Sequence, residues 1–128
     1  MIKFKIRLLV SIVLISGVVG VAGVALANHS WGGYHWARIS NPFNLKLGDN
    51  VSTLWDSYLA TTASDWSLSS VLDTNIVAGS SNPKNCRAVA GRVEVCNSKY
   101  GRNGWLGIAS VWVSGTHIVQ GTVKVNDT

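Results

Sequence analysis

Three histidines, six carboxylates and two cysteines are the groups in this 128-residue chain able to carry acid–base, metal or redox chemistry. A hydrolytic zinc needs three protein ligands, an open water position and a carboxylate to take the water's proton. His29 and His35 lie six residues apart and His117 far beyond them, so no pair has the i, i+4 spacing that puts two ligands on one helix face. The patterns H-E-x-x-H, G-x-S-x-G, the P-loop and the dinucleotide-binding glycine motif are all absent. Each histidine is therefore expected to be structural, with no metal ligand and no catalytic residue assigned. The acids Asp49, Asp56, Asp65, Asp73, Glu94 and Asp127 form no pair suited to proton transfer. Glu94 alternates with Val93 and Val95, which predicts a solvent-facing carboxylate.

Cys86 and Cys96 are separated by nine residues, a spacing that fits neither CxxC redox chemistry nor a zinc knuckle. An even count, in a chain whose leader (below) reads as an export signal, predicts a disulfide. Closing so short a loop stabilises the fold by ~2.5–3 kcal/mol on the chain-entropy model. Six tryptophans are many for this length. Trp55 and Trp112 fall at positions expected to pack, while Trp31 and Trp36 fit either packing or a ligand platform. Asn28, Asn50 and Asn126 each head an N-x-S/T triplet, a pattern common by chance.

Lys3, Lys5 and Arg7 precede residues 8–27, which hold no charge and end in Ala25-Leu26-Ala27. That is the layout of a secretory signal, residues 1–27, cleaved to leave residues 28–128 as a single secreted domain. An uncleaved membrane anchor is the alternative, and either way the remainder faces outward. Three of the eleven basic residues belong to the leader, leaving eight against six acids, a net charge of +2. The remaining basic residues are scattered rather than striped, which argues against nucleic acid as a partner.

These groups must be held by few elements. Phe43-Asn44-Leu45-Lys46-Leu47 alternates as a half-buried strand does, and Gly48-Asp49-Asn50 reads as a break offering a helix cap. Val51, Leu54, Trp55, Tyr58, Leu59 and Thr62 recur at helical spacing, predicting a four-turn helix with that face buried and Asp65-Trp66 beyond its end. Residues 71–78 read as a second strand, completing a βαβ crossover if the two strands are parallel neighbours. Residues 92–95 alternate again. Residues 105–113 and 117–125, joined at Ser114-Gly115, read as a hairpin with one wet side. The fold class is α+β, a mixed twisted sheet with one main helix.

Several segments together resemble one group of proteins. Tyr34-His-Trp-Ala-Arg38, Asn41-Pro-Phe-Asn-Leu-Lys-Leu-Gly48 and Trp55-Asp-Ser-Tyr-Leu-Ala60 are similar to bacterial secreted, matrixin-like zinc metalloproteases of the metzincin type. So are Gly91-Arg-Val-Glu-Val-Cys-Asn97, Gly104-Trp-Leu-Gly-Ile-Ala109, Val111-Trp-Val113 and Gly121-Thr-Val-Lys-Val-Asn126. The resemblance spans nearly all of residues 28–128 and rests on serial similarity, without a catalytic signature. It implies a zincin-like front portion: sheet and first helix first, then a long helix carrying H-E-x-x-H, which this chain lacks. It further implies that an antiparallel edge strand within residues 105–125 pairs with an extended polypeptide substrate by strand addition.

The expectation is thus a truncated metzincin-like domain whose complete form hydrolyses peptides with zinc-activated water. This chain alone is expected to bind zinc weakly or not at all and to cleave nothing. The alternatives are a secreted tryptophan-rich module binding peptide or glycan without catalysis, and a purely structural envelope protein.

Overall fold

Alternation carries the first long strand past Gly48, because the sheet continues to supply backbone partners there. The computed structural model describes residues 32–128. Along the chain run β1 (His35–Trp36), β2 (Phe43–Asn50), α1 (Asp56–Trp66), β3 (Leu72–Ala78), β4 (Arg92–Ser98), β5 (Gly107–Ser114) and β6 (His117–Asn126). The leader and its cleavage box, with Asn28, His29 and Trp31, lie outside the described residues. No helix among the described residues is long and apolar enough to cross a membrane.

β2 pairs in parallel with β3 on one side and β4 on the other, and β4 pairs in parallel with β6. The expected βαβ unit is therefore present, with β2 and β3 as parallel neighbours around α1. β5 runs antiparallel to β6 from His117 to Val125, so β4 and the two-residue β1 share the opposite side of β6. Among the described residues the outer strands are β3 and β5. The hairpin turn falls at Gly115-Thr116, one residue later than expected, and a register irregularity sits at Trp112/Val113.

The helix begins five residues later than its apolar spacing suggested. Asn50 is still in the sheet opposite Cys96, and Asp49 Oδ1 accepts the Val51 amide at 3.1 Å instead of capping a helix. Asn97 on β4 then grips the next turn. Its Oδ1 accepts the Ser52 amide at 2.6 Å and its Nδ2 donates to Ser52 Oγ at 3.1 Å. Residues 51–55 are held in this turn, leaving Leu54 81 % exposed. Within α1, Leu59 and Ala63 are the buried pair, at the i, i+4 spacing of a narrow stripe. Tyr58 is 64 % exposed and Thr62 is exposed, so the expected buried face is only partly realised. Trp66 closes the helix rather than following it. Ser67 Oγ donates to Ala63 O at 2.8 Å and accepts the Thr74 amide at 2.9 Å, clasping the helix end to β3.

The core is small: Leu47, Leu59 and Ala63, with Val51, Val93 and Val95 packed against them. On the opposite face of the sheet, Cys86 and Cys96 are bonded, their Cα atoms 6.0 Å apart. Glu94 lies on that face too, and it is fully buried rather than solvent-facing. The register sets Gly48, Glu94 and Thr122 in one row across β2, β4 and β6. Gly48 has no side chain, and the carboxylate fills the space above it; a Cβ at Gly48 would overlap it. The charge is met by Arg92 Nε at 2.6 Å, a contact held by charge without hydrogen-bond alignment, by Ser80 Oγ at 3.3 Å and by Asn50 Nδ2.

Candidate functional site

Alternation sends Leu45 and Leu47 of β2, Val93 and Val95 of β4, and Val123 and Val125 of β6 to the same face as α1. Five strands spaced ~4.8 Å apart span roughly 19 Å between their outer axes, whereas a helix with its side chains is ~10–12 Å across. One helix therefore covers about half the face. α1 packs against β3 and Leu47 of β2, and an open trough of about 490 Å³ lies between it and the sheet, floored by β2, β4 and β6 and reaching Leu72 and Thr74 of β3. Tyr58, Thr62 and Trp66 form its helical wall, with Trp36 and Trp55 lining it as well. Among the described residues no charged side chain lines it.

The trough explains the exposure of Tyr58 and Trp66, at 64 and 60 %. They are not misplaced core residues but the rim of an apolar concavity. Trp55 is half-buried and its indole N–H donates to Asp127 Oδ1 at 3.0 Å. Asp127 Oδ2 in turn accepts from Asn97 Nδ2 at 2.5 Å. One polar network thus ties the end of β6 to the turn before α1.

The second feature is the outer edge of β5, which pairs with no further strand among the described residues. Gly107-Ile-Ala-Ser-Val-Trp-Val-Ser114 contains no charge and no proline, and all but Val111 are exposed. The other outer strand, β3, carries Asp73 and Asn75. Charges and prolines are the devices that keep edges from pairing, and β5 has neither.

The tryptophans divide between the faces. Trp36, Trp55 and Trp66 converge on the trough, whereas Trp105 and Trp112 stand on the disulfide face, where Trp112 is 44 % exposed rather than packed. Trp105 lies 5.4 Å from the Tyr100 ring. Of the histidines, His35 and His117 are brought into contact. Among the described residues no group of three or more His, Cys, Asp and Glu gathers as a metal site. Among the described residues, then, the donors do not make up the three ligands that a hydrolytic zinc needs. Two N-x-S/T asparagines are already engaged: Asn50 is buried, and Asn126 Nδ2 donates to Gly101 O at 2.8 Å and to Trp105 O at 3.2 Å.

The chain matches no protein-family model, no curated protein and no solved structure in comparisons of all three kinds.

Proposed function

We propose that residues 28–128 form the sheet-bearing front portion of a secreted, matrixin-like metzincin peptidase domain, and that its partner is an extended polypeptide. The observation carrying this reading is the half-covered apolar floor lying beside an uncharged antiparallel edge strand. A sheet face lined by Val93, Val95, Val123 and Val125 calls for a second covering element. The resemblance supplies a helix bearing H-E-x-x-H for that seat. β5 is the edge on which the substrate adds as a further strand, its backbone bonding the peptide while alternate side chains select it. The Cys86–Cys96 bond fits an oxidising compartment outside the cytoplasm. Hydrolysis belongs to the complete domain of that family. This sequence holds no H-E-x-x-H, and no step through zinc follows from its residues.

The test has two arms. Amide NMR of the chain titrated with an extended aliphatic peptide should shift residues of β5 before those of the trough. Supplying a segment with H-E-x-x-H should then give chelator-sensitive cleavage of a fluorogenic peptide. Silence of β5 in the first arm and no cleavage in the second would sink the reading. A second reading, a tryptophan-rich binding module without catalysis, is favoured by Trp36, Trp55, Tyr58 and Trp66 converging on one cavity. Its ~490 Å³ lies within the ~300–1,000 Å³ range of small-ligand pockets. Ligand quenching of tryptophan fluorescence with no change at β5 would select it.

A further inference from the structure

His35 opens β1 and His117 opens β6, and the parallel register sets the two side by side. The backbone holds them there, the His35 amide donating to Thr116 O at 3.1 Å. Both side chains are exposed, and their rings meet edge to face with centroids 4.9 Å apart. Two imidazoles bound to one tetrahedral cation through bonds of ~2.0–2.1 Å have ring centres about 5 Å apart. The pair has that centroid spacing, and since both side chains are exposed, turning one ring out of its edge-to-face contact would bring a nitrogen of each to one ion.

A second observation concerns which nitrogen is left for a ligand bond. His35 Nδ1 lies 3.0 Å from Gly33 O. A carbonyl can only accept, so in the neutral ring Nδ1 carries the proton and Nε2 presents its lone pair. A metal-binding histidine is held in just this way, its second ring N–H given to a carbonyl or carboxylate that fixes tautomer and orientation. The carbonyl is delivered by a turn in which Gly32 and Gly33 have φ of 61° and 68°. That left-handed pair is open to glycine without strain.

We propose that His35 and His117 together bind one borderline divalent cation, zinc or copper, with water completing its coordination. The bound cation clamps β1 to β6. Hard cations such as magnesium prefer oxygen ligands and are excluded by the donor set. The site is independent of the peptidase reading. Among the described residues it gathers two ligands, one short of the three of a hydrolytic zinc, and two are enough for a clamp. β1 is the strand with most to gain, since it contributes only two residues to the sheet.

The experiment is calorimetric titration of the full, disulfide-bonded chain with Zn²⁺, with Mg²⁺ as control. One equivalent of zinc should bind in the micromolar range and magnesium should give no heat. His35→Gln and His117→Gln should each weaken zinc at least tenfold. Should either variant unfold, the unaltered chain provides a second measurement. Zinc should then protect both His35 and His117 from carbethoxylation, mapped by mass spectrometry. Absence of binding below millimolar zinc overturns the proposal, as does binding that survives both substitutions. So does binding lost only in His29→Gln, which would assign the cation to the segment before β1. Protection of neither ring would overturn it as well.

Discussion

Glu94 turns away from Val93 and Val95 as alternation requires, but the face it turns to is covered by residues 79–91 and the disulfide. Its neighbours on that face are Gly48 and Thr122, and the missing side chain at Gly48 makes room for a carboxylate paired with Arg92. Gly48→Ala is therefore expected to destabilise by about 1–3 kcal/mol through overpacking. Gly107→Ala, whose added methyl meets only Lys124 O at 3.5 Å, should stay within about 0.5 kcal/mol. Urea midpoints of the two variants check this, and equal costs would contradict the packing account. Tyr100 offers a pH signature. Its hydroxyl donates to Pro83 O at 2.6 Å, and desolvation, then the nearby Asp127 charge, raise its pKa above the usual 10. The fold thus favours the neutral phenol. This contribution is fully present below the unfolded phenol's pKa and is lost as pH rises through the higher folded value. Tyr100→Phe should abolish that alkaline loss, while costing about 0.5–1.5 kcal/mol at neutral pH for the hydrogen bond. Denaturation midpoints measured from pH 8 to 11 compare the two slopes.

At the scale of elements, α1 owes its place to two residues. Leu59 and Ala63 are its buried contacts, and Leu59 meets Leu47 in the core. Leu59→Ala should cost about 2–4 kcal/mol, whereas Leu54→Ala, at an exposed position in the preceding turn, should cost within about 0.5 kcal/mol. Thermal melting of both variants measures the contrast, and a large loss for Leu54→Ala would mean that the turn packs as the helical spacing first suggested. That spacing misled for a physical reason. Val51, Leu54 and Trp55 share a period with the helix, but the Asn97 side chain competes for the backbone of Ser52 and holds it in a turn. Asn97 lies 45 residues away, so no local pattern reports it. The edge status of β5 was equally illegible. Its alternation resembles that of β6, and only the pairing of β6 with β4 decides which strand of the hairpin is left outside.

Across the whole molecule, the two faces of the sheet are stabilised by different means. The α1 face has a small core and an open trough, while the other is covered around Glu94 by residues 79–91 and the Cys86–Cys96 bond and open beside Trp105 and Trp112. Reducing that bond should lower stability by ~2.5–3 kcal/mol, read as a fall in the urea midpoint at unchanged fold. No fall at all would mean that the loop is held by its hydrogen bonds alone. By itself the sequence determined what local periodicity and composition can carry. That covers the α+β class, every strand from β2 to β6 within a few residues, the βαβ unit, the hairpin and the cysteine pairing. These follow from residues adjacent along the chain, or from two cysteines with no other partner. The tertiary structure alone decided the order of strands and hence the outer edge, the burial of Glu94, the late start of α1 and the convergence of Trp36, Trp55 and Trp66. It also brought His35 against His117. Each of these depends on which distant residue lies opposite across the sheet, and register between parallel strands is set by long-range pairing that no window of sequence contains.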